Sequence, residues 1–229
     1  RDIGVTGVQT CALPISEYEF VFAQGGYTIG NDHLWMPVSQ IKENSKQAIF
    51  GIAEINFQTD SVTLSFFLPK LQDPEGGKGE PTTDPGIADL SLNALDAIVE
   101  EEGPFYGIMG YSQGAAFVPV YLAHAGGDTF QKAMMFCGYK PETHQGLMNL
   151  VDSQSPFNDI ESLVWIGEQD DLIVPPMSED QATLFTSPTI IRSPSGGHFV
   201  PGTFDSTFNQ VLAFIRGEDV PDKIGRAHV

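Results

Sequence analysis

Three polar side chains, distant from one another along the chain, have the types needed for nucleophilic catalysis. Ser112 lies in the G-x-S-x-G pattern of residues 110–114, Asp170 follows an apolar run, and His198 follows two glycines. A serine hydroxyl is a poor nucleophile until a base takes its proton, and an imidazole base needs a carboxylate to orient it. Each signal is weak alone, but together they predict acyl transfer through a serine nucleophile.

The orienting carboxylate has two candidates, because Asp170 and Asp171 are adjacent in "WIGEQDD". Asp170 has the G-x-x-D spacing from Gly167. Asp171 has the D-x-x-V-P spacing to Val174 and Pro175. We prefer Asp170 and keep Asp171 as the alternative.

The surroundings of Ser112 are those of a nucleophile elbow. The pattern lies between "YGIMG" at 106–110, which predicts a strand, and "QGAAFVPVYLAH" at 113–124, which predicts a helix. The small residues around the serine suit a sharp turn, and the helix would direct its first N–H groups at a developing oxyanion. We therefore predict that the backbone N–H of Gln113 is one oxyanion donor.

The elements that must position these side chains alternate along the sequence. Apolar runs predict strands, and segments of helical periodicity lie between them. Such alternation predicts an α/β fold with a mostly parallel sheet covered by helices on both faces. The order serine, aspartate, histidine is that of the α/β-hydrolase fold. The predicted strands span 18–24, 106–110, 132–138, 162–167 and 188–193. The first predicted helix starts after the cap Thr83-Asp84-Pro85 and runs to about 102. Three more predicted helices span 113–124, 178–186 and about 203–216.

Composition excludes several classes of function. Asp and Glu number 30 against 11 Lys and Arg, a net charge of −19, so neither nucleic acid nor an anionic membrane surface is an expected partner. No apolar run has the length of a membrane span. His33, His124 and His144 lack the spacing of metal ligands. We predict no metal and no cofactor, and the sequence carries no signal for an oligomeric state.

The two ends resemble translated sequencing-adapter DNA. Both "VTGVQTCALPI" within 1–16 and "IGRAHV" at 224–229 can be back-translated into adapter sequence. Excluding them leaves one domain at 17–223, truncated at its N-terminus. Cys137 is then the one native cysteine, which fits a reducing compartment, so we expect a cytoplasmic protein.

Residues 38–72 form a second compositional anomaly, because they are neutral inside an acidic chain. The first two residues, Val-Ser, can be encoded by the usual start of an intron, and the last two, Leu-Gln, by its usual end. Deleting the stretch joins "LWMP" to "DPEGGKGEP", which reads as one turn-rich loop. A retained intron and a genuine hairpin insertion remain equal alternatives.

Three segments resemble the signature blocks of the FSH family of serine hydrolases: "GPFYGIMGYSQGAA", "WIGEQDDLIVPP" and "SGGHFVP". The resemblance covers about 17–37 and 73–216. It implies that Ser112 is the nucleophile, His198 the base and Asp170 the acid. It also implies a compact intracellular enzyme that hydrolyses small-molecule carboxylic esters or thioesters through an acyl-enzyme.

The family's first strand and its His-Gly loop, which gives the second oxyanion N–H, should precede residue 17. We expect them to be missing here, and we take Gln24-Gly25-Gly26 as a strand-end turn rather than a substitute. Loss of one oxyanion donor costs about 10²–10³ in rate. The alternatives to an esterase are therefore a non-catalytic binding module of the same fold or an inactive fragment.

Overall fold

A computed structural model of the chain describes residues 27–29, 32–34, 82–126 and 128–221. The chain divides into two compact units, one from residues 1–104 and 141–150, the other from 105–140 and 151–229. The predicted strand at 18–24, both terminal tails and the anomalous stretch 38–72 lie outside the described residues. The predictions made for them stay predictions.

The described part of the first unit contains a two-stranded sheet and a long helix. Strands β1 (Tyr27–Ile29) and β2 (Asp32–Leu34) pair antiparallel. Helix α1 (Asp89–Glu102) starts later than predicted, because residues 85–88 form a turn. The Asp84 carboxylate accepts the Gly86 N–H at 2.9 Å in that turn, and this local bond competes with helical bonding.

The second unit contains a four-stranded parallel sheet. Its strands are β3 (Gly107–Tyr111), β4 (Lys132–Phe136), β5 (Glu161–Gly167) and β6 (Thr189–Ser193), in the spatial order β3-β4-β5-β6. Parallel pairing sets Tyr111 opposite Phe136 and Phe136 opposite Trp165. The carboxyl ends of the strands therefore meet at one edge, as the predicted chemistry requires.

Helices separate these strands along the chain. Helix α2 (Gln113–Ala125) follows β3, α4 (Pro175–Ala182) follows β5 and α5 (Phe208–Arg216) follows β6. Helix α3 (Gln145–Asp152) lies between β4 and β5 in the sequence, and the sequence did not predict it. The predicted α/β class is confirmed.

The core lies on both faces of the sheet. All five residues of β4 are buried, as are the last six of β5. Neighbouring residues of a strand point to opposite faces, so continuous burial means that both faces are covered. Among the described residues, no helix combines the length and apolar character that a membrane span requires.

Two further predicted helices were wrong at their boundaries. The helix predicted at 178–186 begins at Pro175, since two prolines suit a first helical turn, and it ends at Ala182. The helix predicted from about Thr203 begins at Phe208, because turns occupy 203–207. Phe204 lies in these turns and is 73% exposed.

Candidate active site

Ser112 forms the turn between β3 and α2 in a strained backbone conformation. Its φ of 53° and ψ of −120° lie in a region that residues with a side chain rarely adopt. The Ser112 N–H donates to the Phe136 carbonyl at 2.9 Å, and the Ser112 carbonyl accepts the Ala116 N–H at 3.0 Å. A Cβ at Gly110 would lie 2.4 Å from the Gly114 carbonyl oxygen, so the turn requires glycine there.

Asp170 lies in the turn after β5 and is 3% exposed. Its Oδ1 accepts the backbone N–H groups of Leu172 and Ile173, both at 2.9 Å. Its Oδ2 lies 2.8 Å from Nδ1 of His198. The carboxylate is thus fixed by its own loop on one oxygen and presents the other to the imidazole.

His198 lies in the loop after β6 and joins the other two side chains. Its Nε2 is 3.0 Å from Ser112 Oγ. A carboxylate only accepts hydrogen bonds, so Nδ1 donates to Asp170 and the neutral ring's Nε2 accepts from the serine hydroxyl. The structure therefore brings together the three candidate residues that the sequence selected.

The fourth candidate, Gln113, is the first residue of α2, directly after the serine. Asp171, the alternative acid, is exposed, and the imidazole bonds to Asp170 instead. The expected second oxyanion loop and Gln24-Gly25-Gly26 fall outside the described residues.

A family comparison agrees with this arrangement. The family model described as "Serine hydrolase (FSH1)" matches residues 8–209, most of the chain. The chain belongs to the FSH1 family of serine hydrolases. The family resemblance predicted from the three sequence blocks is confirmed.

Curated relatives of this FSH1-family chain carry esterase names. It is 36% identical to the esterase OVCA2 of Xenopus tropicalis over 48% of the chain and 47% of that protein. It is 31% identical to the esterase C25G4.2 of Caenorhabditis elegans over 58% of the chain and 61% of that protein. It is 33% identical to the esterase OVCA2 of Danio rerio over 48% of the chain and 49% of that protein. The matches thus span about half of the relatives' length.

In this FSH1-family site, the loop that carries the imidazole packs tightly against the strand ends. A Cβ at Gly196 would lie 2.7 Å from both the Trp165 ring and the Ser193 side chain. A Cβ at Gly167, the last residue of β5, would lie 2.5 Å from the Gly197 carbonyl oxygen. This loop therefore depends on close backbone approach at Gly196 and at Gly167.

Sequence reasoning missed two residues that contact this loop. The Tyr111 hydroxyl donates to the His198 carbonyl at 2.8 Å, and the two rings stand 5.0 Å apart. The Cys137 thiol lies 3.6 Å from the Gly197 carbonyl oxygen and 3.5 Å from that of Phe199. Tyr111 occupied a variable position of the motif, and Cys137 was considered as the one native cysteine.

Within the described part of the chain, one group of side chains has the chemistry of a metal site. The ligand atoms of Cys137, Asp170 and His198 lie within 4.8 Å of one another. Burial, together with the Asp170 carboxylate, raises the pKa of the Cys137 thiol well above its ordinary range. A neutral thiol is a weak ligand, and Nδ1 is already bonded to Asp170, so we assign this group to the candidate active site rather than to a metal site.

Helix α4, which follows the acid loop, is tied to its neighbours by two buried polar side chains. Gln181 donates through Nε2 to the Ala115 carbonyl in α2 at 2.7 Å. Ser178 donates to the Gly138 carbonyl at 2.7 Å. These bonds connect the segment after the acid with the helix that follows the nucleophile.

Proposed function

We propose that the chain is a serine esterase, acting on small-molecule carboxylic esters or thioesters through an acyl-enzyme. One observation carries the proposal: His198 bonds to Asp170 through one ring nitrogen and faces the Ser112 hydroxyl through the other, at 2.8 and 3.0 Å. The esterase names of the relatives support the same substrate class.

In the first half of the reaction, His198 Nε2 takes the hydroxyl proton as Ser112 Oγ bonds to the substrate carbonyl carbon. Negative charge develops on the carbonyl oxygen, and in this proposal the N–H of Gln113, the first residue of α2, stabilises it. The intermediate collapses as His198 gives its proton to the leaving alcohol or thiol, which leaves the acyl group on Ser112.

In the second half, water replaces the leaving group. His198 takes a proton from a water molecule while the water oxygen attacks the acyl carbon. His198 then gives that proton to Ser112 Oγ as the bond between Oγ and the acyl carbon breaks. The products are a carboxylic acid and the free enzyme. Asp170 keeps its charge throughout and stabilises the imidazolium in both halves.

A fluorophosphonate probe tests the proposal on the full chain, because it phosphonylates only an activated serine. We expect one adduct per chain, on the peptide that contains Ser112. Ser112→Ala should abolish the adduct and lower ester turnover about 10⁴–10⁶-fold. The exposed Ser206 offers a matched control, since Ser206→Ala should label like the parent.

The same chain and variants test the two proposed substrate classes, esters and thioesters. We expect hydrolysis of both a p-nitrophenyl ester and an S-phenyl thioester, each lost in Ser112→Ala. A folded chain that neither labels nor hydrolyses either compound would favour the non-catalytic binding module or the inactive fragment and would overturn the proposal.

A further inference from the structure

The loop that carries His198 is attached to three strand ends through consecutive carbonyl groups. The Gly196 carbonyl accepts the Gln169 N–H, from the acid loop after β5, at 2.7 Å. The Gly197 and Phe199 carbonyls face the Cys137 thiol after β4. The His198 carbonyl accepts the Tyr111 hydroxyl at the end of β3. Two of these three attachments come from side chains.

We propose that Tyr111 and Cys137 are positioning residues, which hold the backbone on either side of His198 so that its imidazole lies between Asp170 and Ser112. This inference rests on the proposed hydrolase function. Neither residue bonds to the reacting atoms in this role. Tyr111 acts through the His198 carbonyl, and Cys137 acts through the Gly197 and Phe199 carbonyls and lies beside the Asp170 carboxylate.

Tyr111 is suited to this role because it directly precedes the nucleophile. Its backbone enters the turn that exposes Ser112, while its side chain reaches a residue 87 positions later. The ring also packs against the imidazole with their planes tilted by 41°. One residue therefore couples the position of the serine to the position of its base.

Cys137 is suited because it stands directly after β4, between the strands that carry the nucleophile and the acid. Its φ of 50° lies in the left-handed region, and its N–H donates to the Trp165 carbonyl at 3.2 Å. It is 1% exposed, so its contacts with the loop are shielded from water. The buried thiol stays protonated, and the acceptors that face its single hydrogen are these loop carbonyls and the Asp170 carboxylate.

The test compares Tyr111→Phe, which removes one hydroxyl, with Tyr106→Phe, the same change just before the opposite end of β3. We expect Tyr111→Phe to lower kcat about threefold to tenfold, the range for loss of one hydrogen bond, with KM within about twofold of the parent. Tyr106→Phe should match the parent in both. A Tyr111→Phe variant with parental kcat, or with raised KM and parental kcat, would overturn the proposal.

A second pair of variants tests the thiol. Cys137→Ser keeps a donor and Cys137→Ala removes it, so we expect Cys137→Ser to retain more kcat than Cys137→Ala, by about threefold. Equal kcat in the two variants would refute the role of the thiol.

Hydrogen exchange of the loop gives a readout that does not require turnover. We expect faster exchange in peptides covering 194–201 for Tyr111→Phe and Cys137→Ala, with peptides from α5 unchanged. Unchanged exchange in the loop would contradict the inference. By contrast, a parent that fails to react with the fluorophosphonate while the variants loosen the loop would contradict only the proposed function.

Discussion

The side-chain amide of Gln181 donates to the main-chain carbonyl of Ala115, four residues before Pro119. In a regular helix, the N–H of residue 119 would donate to that carbonyl, but proline has none. Gln181 is fully buried and supplies the missing donor from α4. Pro119, which lies inside α2, is thus accommodated by a side chain from another helix.

This relationship predicts that the effects of changing Gln181 and Pro119 are coupled. Gln181→Ala should lower the free energy of unfolding by about 1–3 kcal/mol, because it leaves a buried carbonyl without its partner. Pro119→Ala restores an N–H at that position, so in its background Gln181→Ala should cost about 1 kcal/mol less. Urea unfolding of the parent, both single variants and the double variant measures this coupling. The same loss in both backgrounds would contradict it.

The two adjacent aspartates should differ sharply in their effect on turnover. Asp170→Asn should lower kcat about 10⁴-fold, because an amide no longer holds the imidazole in the tautomer that accepts the serine proton. Asp171→Asn should keep kcat within about twofold of the parent, since Asp171 is exposed and His198 bonds to Asp170. Steady-state ester hydrolysis measures both variants. If Asp171→Asn abolished turnover and Asp170→Asn did not, the assignment of the acid would be wrong.

The two glycines before His198 should differ in their tolerance of alanine. Gly196→Ala places a Cβ 2.7 Å from the fully buried Trp165 ring, whereas the nearest atom to a Cβ at Gly197 is 3.6 Å away. We expect Gly196→Ala to lower the free energy of unfolding by about 1–3 kcal/mol and Gly197→Ala to change it by less than about 0.5 kcal/mol. Urea unfolding with tryptophan fluorescence measures the difference. Equal losses in the two variants would show that the packing around residue 196 does not exclude a Cβ there.

The Cys137 thiol should make stability depend on alkaline pH. Burial and the nearby Asp170 carboxylate raise its pKa above the ordinary 9.0, so the folded protein keeps a proton that the unfolded chain loses above about pH 9. The stabilisation is complete below pH 9 and decreases as pH rises, with a slope of up to about 1.4 kcal/mol per pH unit.

Cys137→Ser removes this titration, so we expect its unfolding free energy to fall less steeply than the parent's between pH 9 and 10.5. Burial also raises the pKa of Tyr139, but that residue is present in both proteins and its effect cancels. Urea unfolding under reducing conditions measures the two slopes, and identical slopes would contradict the prediction.

The strands of the sheet were predictable because each is a short apolar run in the sequence. The run predicted at 162–167 is the strand Glu161–Gly167, and the run at 188–193 is Thr189–Ser193. The strand predicted to reach 138 ends at Phe136, because Cys137 leaves the extended conformation. Local composition does not encode that change.

Contacts between distant segments were not predictable. The helix expected from Thr203 starts at Phe208 because the buried Asp205 accepts bonds from the Thr207 N–H at 2.8 Å and from the Ser193 hydroxyl at 2.6 Å. Likewise, the partners of Tyr111 and Cys137 lie 60 to 87 positions away. No periodicity in the sequence reports such pairs, whereas residue types and chain order were enough to select Ser112, Asp170 and His198.

The parallel sheet adds its strands in chain order, and this has a consequence for biosynthesis. Ser112 leaves the ribosome 86 residues before His198. At bacterial or eukaryotic elongation rates this separation corresponds to a delay on the order of ten seconds. During that interval the nascent polypeptide displays Ser112 without His198, so the proposed hydrolysis requires that β6 and the loop after it have been translated.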